Sequence, residues 1–519
     1  MIRYFNTAGP CNSAEHYMIE ASTRLHGVEQ LIDMKQYFVI HAARQSGKTT
    51  YLKDLCKRLN EGGKYYALYC SMESLQGITD AEKGIPEIVR LLKKLFLFSN
   101  IPQKQKFAEN ADYSYFSGVL NMSLSLFCME LDKPLVFLFD EADCLSDDTL
   151  ISFLRQLREG YISRNEIPFV HSLALVGMRN IRDYKVKIRP DTQSLGSASP
   201  FNIVTETYTL KNFTKEEISA LYGQHTEETG QIFENKAIDL VYEQTQGQPW
   251  LVNAIVREVI VKMLQSDYTQ PVTASLVYEA IQTIILRRDA HIDSLLERLK
   301  EERVRRVIEP MLYGESFYER LSDDYQYVID LGLIKDIKGN TQPSNPIYGE
   351  LIARTLSFEA QQKFVLERPN TTITCYIKDG KMDMDYLMQD FQQFWRENSD
   401  IWIEKFQYKE AAPHLILQAF LQRVINGGGE VIREMATGTG FIDLCLLYGR
   451  EKYPVELKIR RGEKSISQEI EQTFRYMDTF GCSEGWLAVF DRRPEIGWAD
   501  KIFIKKETVN GKTVTIIGL

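Results

Sequence analysis

The chain has 519 residues, 44% of them hydrophobic and 26% charged, with a net charge of -9. That length exceeds what one core can organise and predicts about three or four domains. The composition excludes a largely disordered chain, and the acidic balance excludes a broadly basic surface while leaving room for a local basic groove. The eight cysteines are scattered without a C-x-x-C pair, which argues against a zinc site or disulfide framework and for a reducing compartment. MIRYFNTAGP has no signal-peptide core, and no run of about 18 apolar residues occurs, so a soluble, cytoplasmic protein without a membrane partner is expected.

Residues 1–200 alternate apolar runs with amphipathic stretches, the pattern of a parallel α/β domain. The first strand candidate, QYFVIHA (36–42), leads into a loop and then the amphipathic TYLKDLCKRL. Strand, loop and helix in that order are the setting a phosphate-binding loop requires. Ala43, Arg44, Gln45 and Ser46 form the loop, with Gly47, Lys48, Thr49 and Thr50 at the helix start; Ala42 stands where the motif has its first glycine. Gly47 lets the backbone wrap a phosphate, Lys48 supplies a charge to the β and γ phosphates, and Thr49 offers a hydroxyl to Mg²⁺.

KYYALYCS (64–71), PLVFLFD (134–140) and SLALVGM (172–178) are the remaining strand candidates, continuous enough to be buried on both faces. PLVFLFD ends in Asp140, followed by Glu141: two carboxylates at the carboxyl end of a buried strand. Asp140 is expected to hold Mg²⁺ and Glu141 to polarise the attacking water. From about 202 to 270 the periodicity turns helical, as in KEEISALYGQHTEETG. Residues 275–356 read as helices followed by a strand, a Gly-Asn turn and a Pro-bounded segment, the order of a winged helix. The basic residues Arg287, Arg288, Arg298, Lys300, Arg303, Arg305 and Arg306 alternate with Glu297, Glu301 and Glu302. A solvated helix carrying ion pairs accounts for that pattern better than DNA reading.

The segments RYFNTAGPCN…YFVIHAARQSGKTTYLKDL, LVFLFDEADCL…FLRQLREGY, LALVGMRNIRDYKV and TQGQPWLVNAI together resemble bacterial AAA-like ATPases near the STAND group, relatives of the archaeal-type ATPases. The resemblance covers roughly residues 1–355. The family's loop usually reads H-A-P-R-Q-T-G-K-T-T, so Ala42 is normal there, while Ala43 and Ser46 depart mildly. It implies a P-loop core (1–200), a helical lid (201–274) and a winged helix (275–356) that governs the ATPase. It further implies a γ-phosphate sensor at Arg179 and Asn180, and a lid element at Gly247-Gln248-Pro249 with Pro249 near adenine. A solvated strand-end arginine and a simple turn remain the plain alternatives for these two features.

Residues 357–409 read as a polar helical linker. From 410 to 519 a smaller α/β unit is expected: helix 411–426, strands 430–436, 440–448 and 453–459, helix 466–480 and strand 485–490. Asp443 precedes Glu456, and Glu456 and Lys458 share one face of a strand. Paired strands would bring Asp443 and Glu456 to one divalent metal, Mg²⁺ or Mn²⁺, with Lys458 neutralising a phosphate. Gln472 and Tyr476, one helical turn apart, can address the same place. The order D…E-x-K…Q-x-x-x-Y resembles the PD-(D/E)XK nucleases, in their exonuclease-like branch. Ile442 takes the place of the family's proline, and Glu410, His414 and Glu434 are the alternatives for the first-motif residue. Arg460, Arg461, Lys464, Arg492 and Arg493 cluster in sequence around the site, and basic residues of this kind favour a nucleic acid.

The expected architecture is therefore a P-loop NTPase core with helical lid and winged helix, followed by a restriction-endonuclease-like α/β domain. The expected function is an ATP-dependent or ATP-regulated nuclease, with genome defence or control of mobile elements as an analogy. The alternative is a STAND-like signalling ATPase whose C-terminal domain binds without cutting. ATP and nucleic acid, DNA foremost, are the expected partners, with a homo-oligomer allowed.

Overall fold

The computed structural model describes residues 2–20, 24–41, 43–109, 111–177, 203–287, 290–311, 322–352, 355–356, 376–405, 412–425, 429–437, 440–460, 466–491, 493 and 496–519. Contacts group the chain into two compact units. One is Met1–Ile292 with Leu321–Lys335 and Pro343–Ile347; the other is Asp293–Arg320 with Asp336–Gln342 and Tyr348–Leu519.

The first unit contains α1 (Val28–Asp33), β1 (Tyr37–His41), α2 (Lys48–Glu61), β2 (Tyr66–Ser71), α3 (Ala81–Leu97), α4 (Val119–Met129), β3 (Leu135–Asp140), α5 (Asp147–Ser163), β4 (Ser172–Gly177) and β5 (Val204–Thr209). The strands form one parallel sheet in the order β2-β3-β4-β1-β5. β3 and β4 are buried at every position because their apolar runs are unbroken. Side chains alternate faces, so Tyr37, Phe137, Phe139, Leu173 and Leu175 pack with α3, α4 and α5 in one core. Phe38, Ile40, Val136, Leu138 and Val176 pack with α1 and α2 in another. Each fully buried large side chain contributes about 1.5–3 kcal/mol.

β5 corrects the expectation of purely helical structure from 202. Its sequence VTETYT lacks the apolar run that marked the other strands, since it lies at the sheet edge and leaves Glu206 and Thr209 exposed. Helices follow as expected: α6 (Lys215–Thr229), α7 (Asn235–Thr245), α8 (Pro249–Arg257) and α9 (Ala274–Arg287). The Thr214 hydroxyl and the Glu217 carboxylate form a capping box that starts α6.

The stretch expected to be a winged helix holds α10 (Ala290–Arg298), α11 (Glu302–Met311), α12 (Asp323–Asp330) and the paired strands β6 (Ile334–Ile337) and β7 (Asn340–Pro343). Its charges form short-range ion pairs along the helices, exposed at Lys300 and Glu297 but buried at Glu309. Lys300 pairs with Glu297 at 2.6 Å, Arg298 with Glu301 at 2.7 Å, and Arg305 with Glu309 at 2.9 Å.

The second unit adds β8 (Ile377–Lys378), β9 (Lys381–Met382), α13 (Met384–Lys405), α14 (Ala412–Ile425), β10 (Gly429–Thr437), β11 (Gly440–Tyr448), β12 (Glu451–Arg460), α15 (Ser467–Phe480), β13 (Glu484–Asp491), α16 (Trp498–Lys501), β14 (Ile504–Val509) and β15 (Lys512–Gly518). Six strands make one sheet, β10-β11-β12-β13-β15-β14. β10, β11 and β12 form an antiparallel meander, and α15 crosses over to place β13 parallel to β12. Ile470 and Met477 of α15 pack on Leu487, Val489, Val514 and Ile516. The residues read as a helical linker include α13, which buries Leu387, Met388, Phe391 and Trp395 and packs Trp395 edge-on against Phe490. Polar residues on the outer face of α13 masked its apolar stripe in the sequence.

Candidate functional site

Two constellations stand out, one in each unit. In the first, β1 ends at His41, and the backbone then turns through Gln45 (φ 57°) and Gly47 (φ 90°) into α2. Those left-handed angles suit glycine at position 47. The loop sits at the carboxyl end of a central strand, where open α/β sheets bind ligands. Lys48 is buried and donates to the Ala43 carbonyl at 3.1 Å. Burial lowers its ammonium pKa, opposed by the charges of Glu141, Asp140 and Asp143. Arg44 and Gln45 are exposed, while the Ser46 hydroxyl is buried without a hydrogen-bond partner.

Asp140, at the end of β3, is 1% exposed and fully engaged. One oxygen accepts from the Thr49 hydroxyl at 2.7 Å and the Tyr69 hydroxyl at 3.0 Å; the other accepts from the Glu141 N–H at 3.0 Å. Glu141 adopts a left-handed backbone (φ 53°), and burial followed by the Asp140 charge raises its carboxyl pKa. Thr49 and Asp140 therefore meet, as the sequence predicted for a Mg²⁺ pair. Their paired oxygens fit a nucleotide-bound Mg²⁺.

Several supports escaped the sequence reading. Arg24, 9% exposed, donates to the Ser46 carbonyl at 2.9 Å and to the Lys211 carbonyl at 3.0 Å, with its guanidinium 4.9 Å from the Phe213 ring centre. Burial lowers its pKa to about 10. A lone arginine carries no motif, so only the tertiary structure reveals this brace. Thr50 turns toward the amino-terminal segment, its hydroxyl accepting from the Cys11 N–H at 3.0 Å. From the same segment, the Thr7 and Asn6 carbonyls accept from the Trp250 indole and the Asn253 amide, both at 2.9 Å. Pro249 is the buried first residue of α8, and the Gln248 amide reaches the Gln45 carbonyl at 3.5 Å. Gly332, in the turn before β6, stands against the loop; a Cβ there would lie 2.4 Å from the Ala43 side chain. Arg179 and Asn180 lie outside the described residues.

In the second unit the β11–β12 ladder runs from Tyr448↔Glu451 to Leu444↔Val455. At the next step the Asp443 carboxylate takes the Leu457 N–H at 2.8 Å. Glu456 and Lys458 pair in register with Leu487 and Val489, which places both on the face covered by α15. Glu456 is 5% exposed and one of its oxygens is buried without a partner. Burial, then the Asp443 charge, then that of Glu469, raises its pKa well above the carboxylate range. From α15, the Gln472 amide donates to the Tyr476 hydroxyl at 2.6 Å. Burial raises the Tyr476 pKa, and the charges of Glu456 and Asp443 add to the rise.

Asp443, Glu456 and Lys458 of the sheet and Tyr476 of α15, bonded to Gln472, thus lie near enough for the charges of the strand carboxylates to reach Tyr476. The Lys458 ammonium is ion-paired with Glu469, a residue the sequence reading passed over because it belongs to no expected motif. Among the basic residues, Arg493 is paired with Asp491 at 2.6 Å and Arg460 approaches Asp491 at 4.0 Å. Arg461, Lys464, Arg492 and Glu410 lie outside the described residues, as do the side chains of His414 and Glu434. No group of three or more His, Cys, Asp and Glu side chains arranged to hold an ion occurs among the described residues. A pair of carboxylates with an unpartnered buried oxygen still fits Mg²⁺ or Mn²⁺, which keep water and substrate oxygens as ligands. No described helix is long and apolar enough to cross a membrane.

No protein-family model and no curated protein matches the chain. Among solved structures it is similar to the Walker-type ATPase PABY2304 of Pyrococcus abyssi, with 13% identity, 67% of this chain and 99% of that one covered, and a TM-score of 0.45. It is also similar to the ORC2 protein of Aeropyrum pernix (14% identity, 65% and 92% covered, TM-score 0.37). A third similar structure is the RuvB Holliday junction branch migration motor of Thermotoga maritima (12% identity, 64% and 92% covered, TM-score 0.32).

Proposed function

We propose that the chain is an ATP-regulated, metal-dependent nuclease. The observation that carries this reading is the convergence of Asp443, Glu456 and Lys458 beside Gln472 and Tyr476, with a buried Glu456 oxygen lacking a partner. Asp443 and Glu456 would hold Mg²⁺ or Mn²⁺, which when bound supplies Lewis acidity and an activated water. Lys458 would neutralise charge building on the scissile phosphate. Gln472 and Tyr476 would orient the nucleic acid, with DNA the favoured substrate.

In the first unit, Gly47 and Lys48 would cradle the ATP phosphates, and Thr49 with Asp140 would hold Mg²⁺. Glu141, its carboxyl raised by burial, would polarise the attacking water. Arg179 would sense the γ-phosphate and Pro249 would lie near adenine. The seating of Gly332 on Ala43 supports a regulatory role for the winged-helix stretch, since anything that moves the loop must move that turn. Cytoplasmic residence, homo-oligomerisation and a defence role belong to the same proposal.

Plasmid cleavage in Mn²⁺, with and without ATP, tests it on wild type, Glu456→Ala and Lys48→Ala. Wild-type cleavage lost in Glu456→Ala is expected, with Lys48→Ala removing the response to ATP. Absence of wild-type cleavage on every DNA and RNA substrate would overturn the nuclease. The second reading, a signalling ATPase that binds without cutting, is favoured by the engagement of Lys458, Arg460 and Arg493 with carboxylates.

A further inference from the structure

We infer that Glu469, from the first turn of α15, is a further metal-facing carboxylate of the second-unit site, sharing a divalent cation with Glu456 and positioning Lys458. The inference rests on the nuclease reading for its catalytic meaning and on geometry for its existence. Glu469 binds Lys458 through one oxygen, and its other oxygen is buried without a hydrogen-bond partner. Glu456, on the neighbouring strand, presents the same condition: 5% exposed, one oxygen buried and unpartnered. A buried polar atom without a partner is costly, and more so when charged, so two that act on each other need a common explanation. Their charges interact, since Glu469 helps push the Glu456 pKa upward.

Lysine does not supply the missing partner. Lys458 engages one Glu469 oxygen and leaves the other, like the second Glu456 oxygen, without a donor. A divalent cation between the two open oxygens would satisfy both atoms. Asp443 also sets the geometry: one of its oxygens takes the Leu457 N–H, which fixes the fork between β11 and β12 and so the direction of Glu456. The helix is anchored for the task, as the Thr473 hydroxyl bonds back to the Glu469 carbonyl at 2.8 Å and Thr473 is fully buried. Carboxylates that hold Mg²⁺ need not come from adjacent residues, and a helix and a strand meeting at one point serve as well as two strands.

The test measures Mn²⁺ binding by calorimetry and by the rise in melting temperature, in the full chain without ATP, for wild type, Glu456→Gln, Glu469→Gln and Glu469→Asp. Lys48→Ala is added to silence Mn²⁺ bound with residual nucleotide. Wild type is expected to bind Mn²⁺, with Glu456→Gln and Glu469→Gln each weakening binding about tenfold or more and shrinking the thermal shift. Glu469→Asp, which keeps the charge but shortens its reach, is expected to fall between, and serves if the Gln variant does not fold. Mn²⁺ affinity within twofold of wild type in both Glu469 variants, or wild type that binds no Mn²⁺, overturns the inference. Cleavage assays keep the two ideas apart. Cleavage by wild type with unchanged Mn²⁺ binding in the Glu469 variants would sink this inference alone. Glu469-dependent Mn²⁺ binding without any cleavage would sink the nuclease and leave the metal site standing.

Discussion

The two sites solve the same problem, holding buried carboxylates, in opposite ways. Asp140 is saturated: Thr49, Tyr69 and the Glu141 N–H occupy both its oxygens. Glu456 and Glu469 are each left with a buried oxygen and no partner. The first arrangement is a prebuilt bracket whose members stabilise one another before any ligand arrives. The second stores unfavourable electrostatics that a cation would relieve, so its stability and its metal affinity should be coupled.

Breaking the first site should have the largest effect. On the proposed function, Lys48→Ala is expected to lower ATP hydrolysis by about a hundredfold or more, measured as phosphate release, because it removes the ammonium proposed to meet the β and γ phosphates. Gly247→Ala should be nearly as disruptive to the fold of that unit. The backbone there is left-handed and a Cβ would lie 1.8 Å from the Phe213 carbonyl oxygen, so about 2–4 kcal/mol of destabilisation is expected in a denaturant melt. Gly449→Ala, at the turn between β11 and β12, has no atom within 4 Å of the new Cβ and should cost only about 1 kcal/mol.

The second site should show itself in its pH dependence. Glu456 has a folded-state pKa raised by burial and by Asp443 and Glu469. Its contribution to stability is therefore fully present below its unfolded pKa and lost as pH rises through the raised folded value. Metal-free protein should melt at progressively lower temperature as pH climbs through neutrality, and Glu456→Gln should flatten that slope and melt higher at alkaline pH. An equally steep slope in the variant would assign the effect elsewhere. The smallest change expected is in Tyr69→Phe, which removes one of three bonds to Asp140. A loss of about 1 kcal/mol in stability and a few-fold fall in ATPase rate would place Tyr69 as a positioning residue.

Local pattern was sufficient wherever a feature is carried by consecutive residues. The strands at 37–41, 135–140 and 172–177 were legible because buried parallel strands are continuous apolar runs. The β11–β12 pair and α15 were legible from alternation and helical spacing. β5 was not, because an edge strand needs no apolar run; α13 was expected as a helix, but its buried stripe was not read because polar residues dilute it.

By itself the sequence singled out the loop 43–50, the acidic end of β3, and the set Asp443, Glu456, Lys458, Gln472 and Tyr476 as candidates, since each follows from spacing along one or two adjacent elements. Only the tertiary structure decided the rest. Arg24 braces the loop across a long separation, Tyr69 joins Asp140 from a neighbouring strand, and Glu469 meets Lys458 where a helix crosses a sheet. The physical reason is common to all three. Periodicity reports which way a side chain faces on its own element, whereas a partner across elements is chosen by how strands and helices stack.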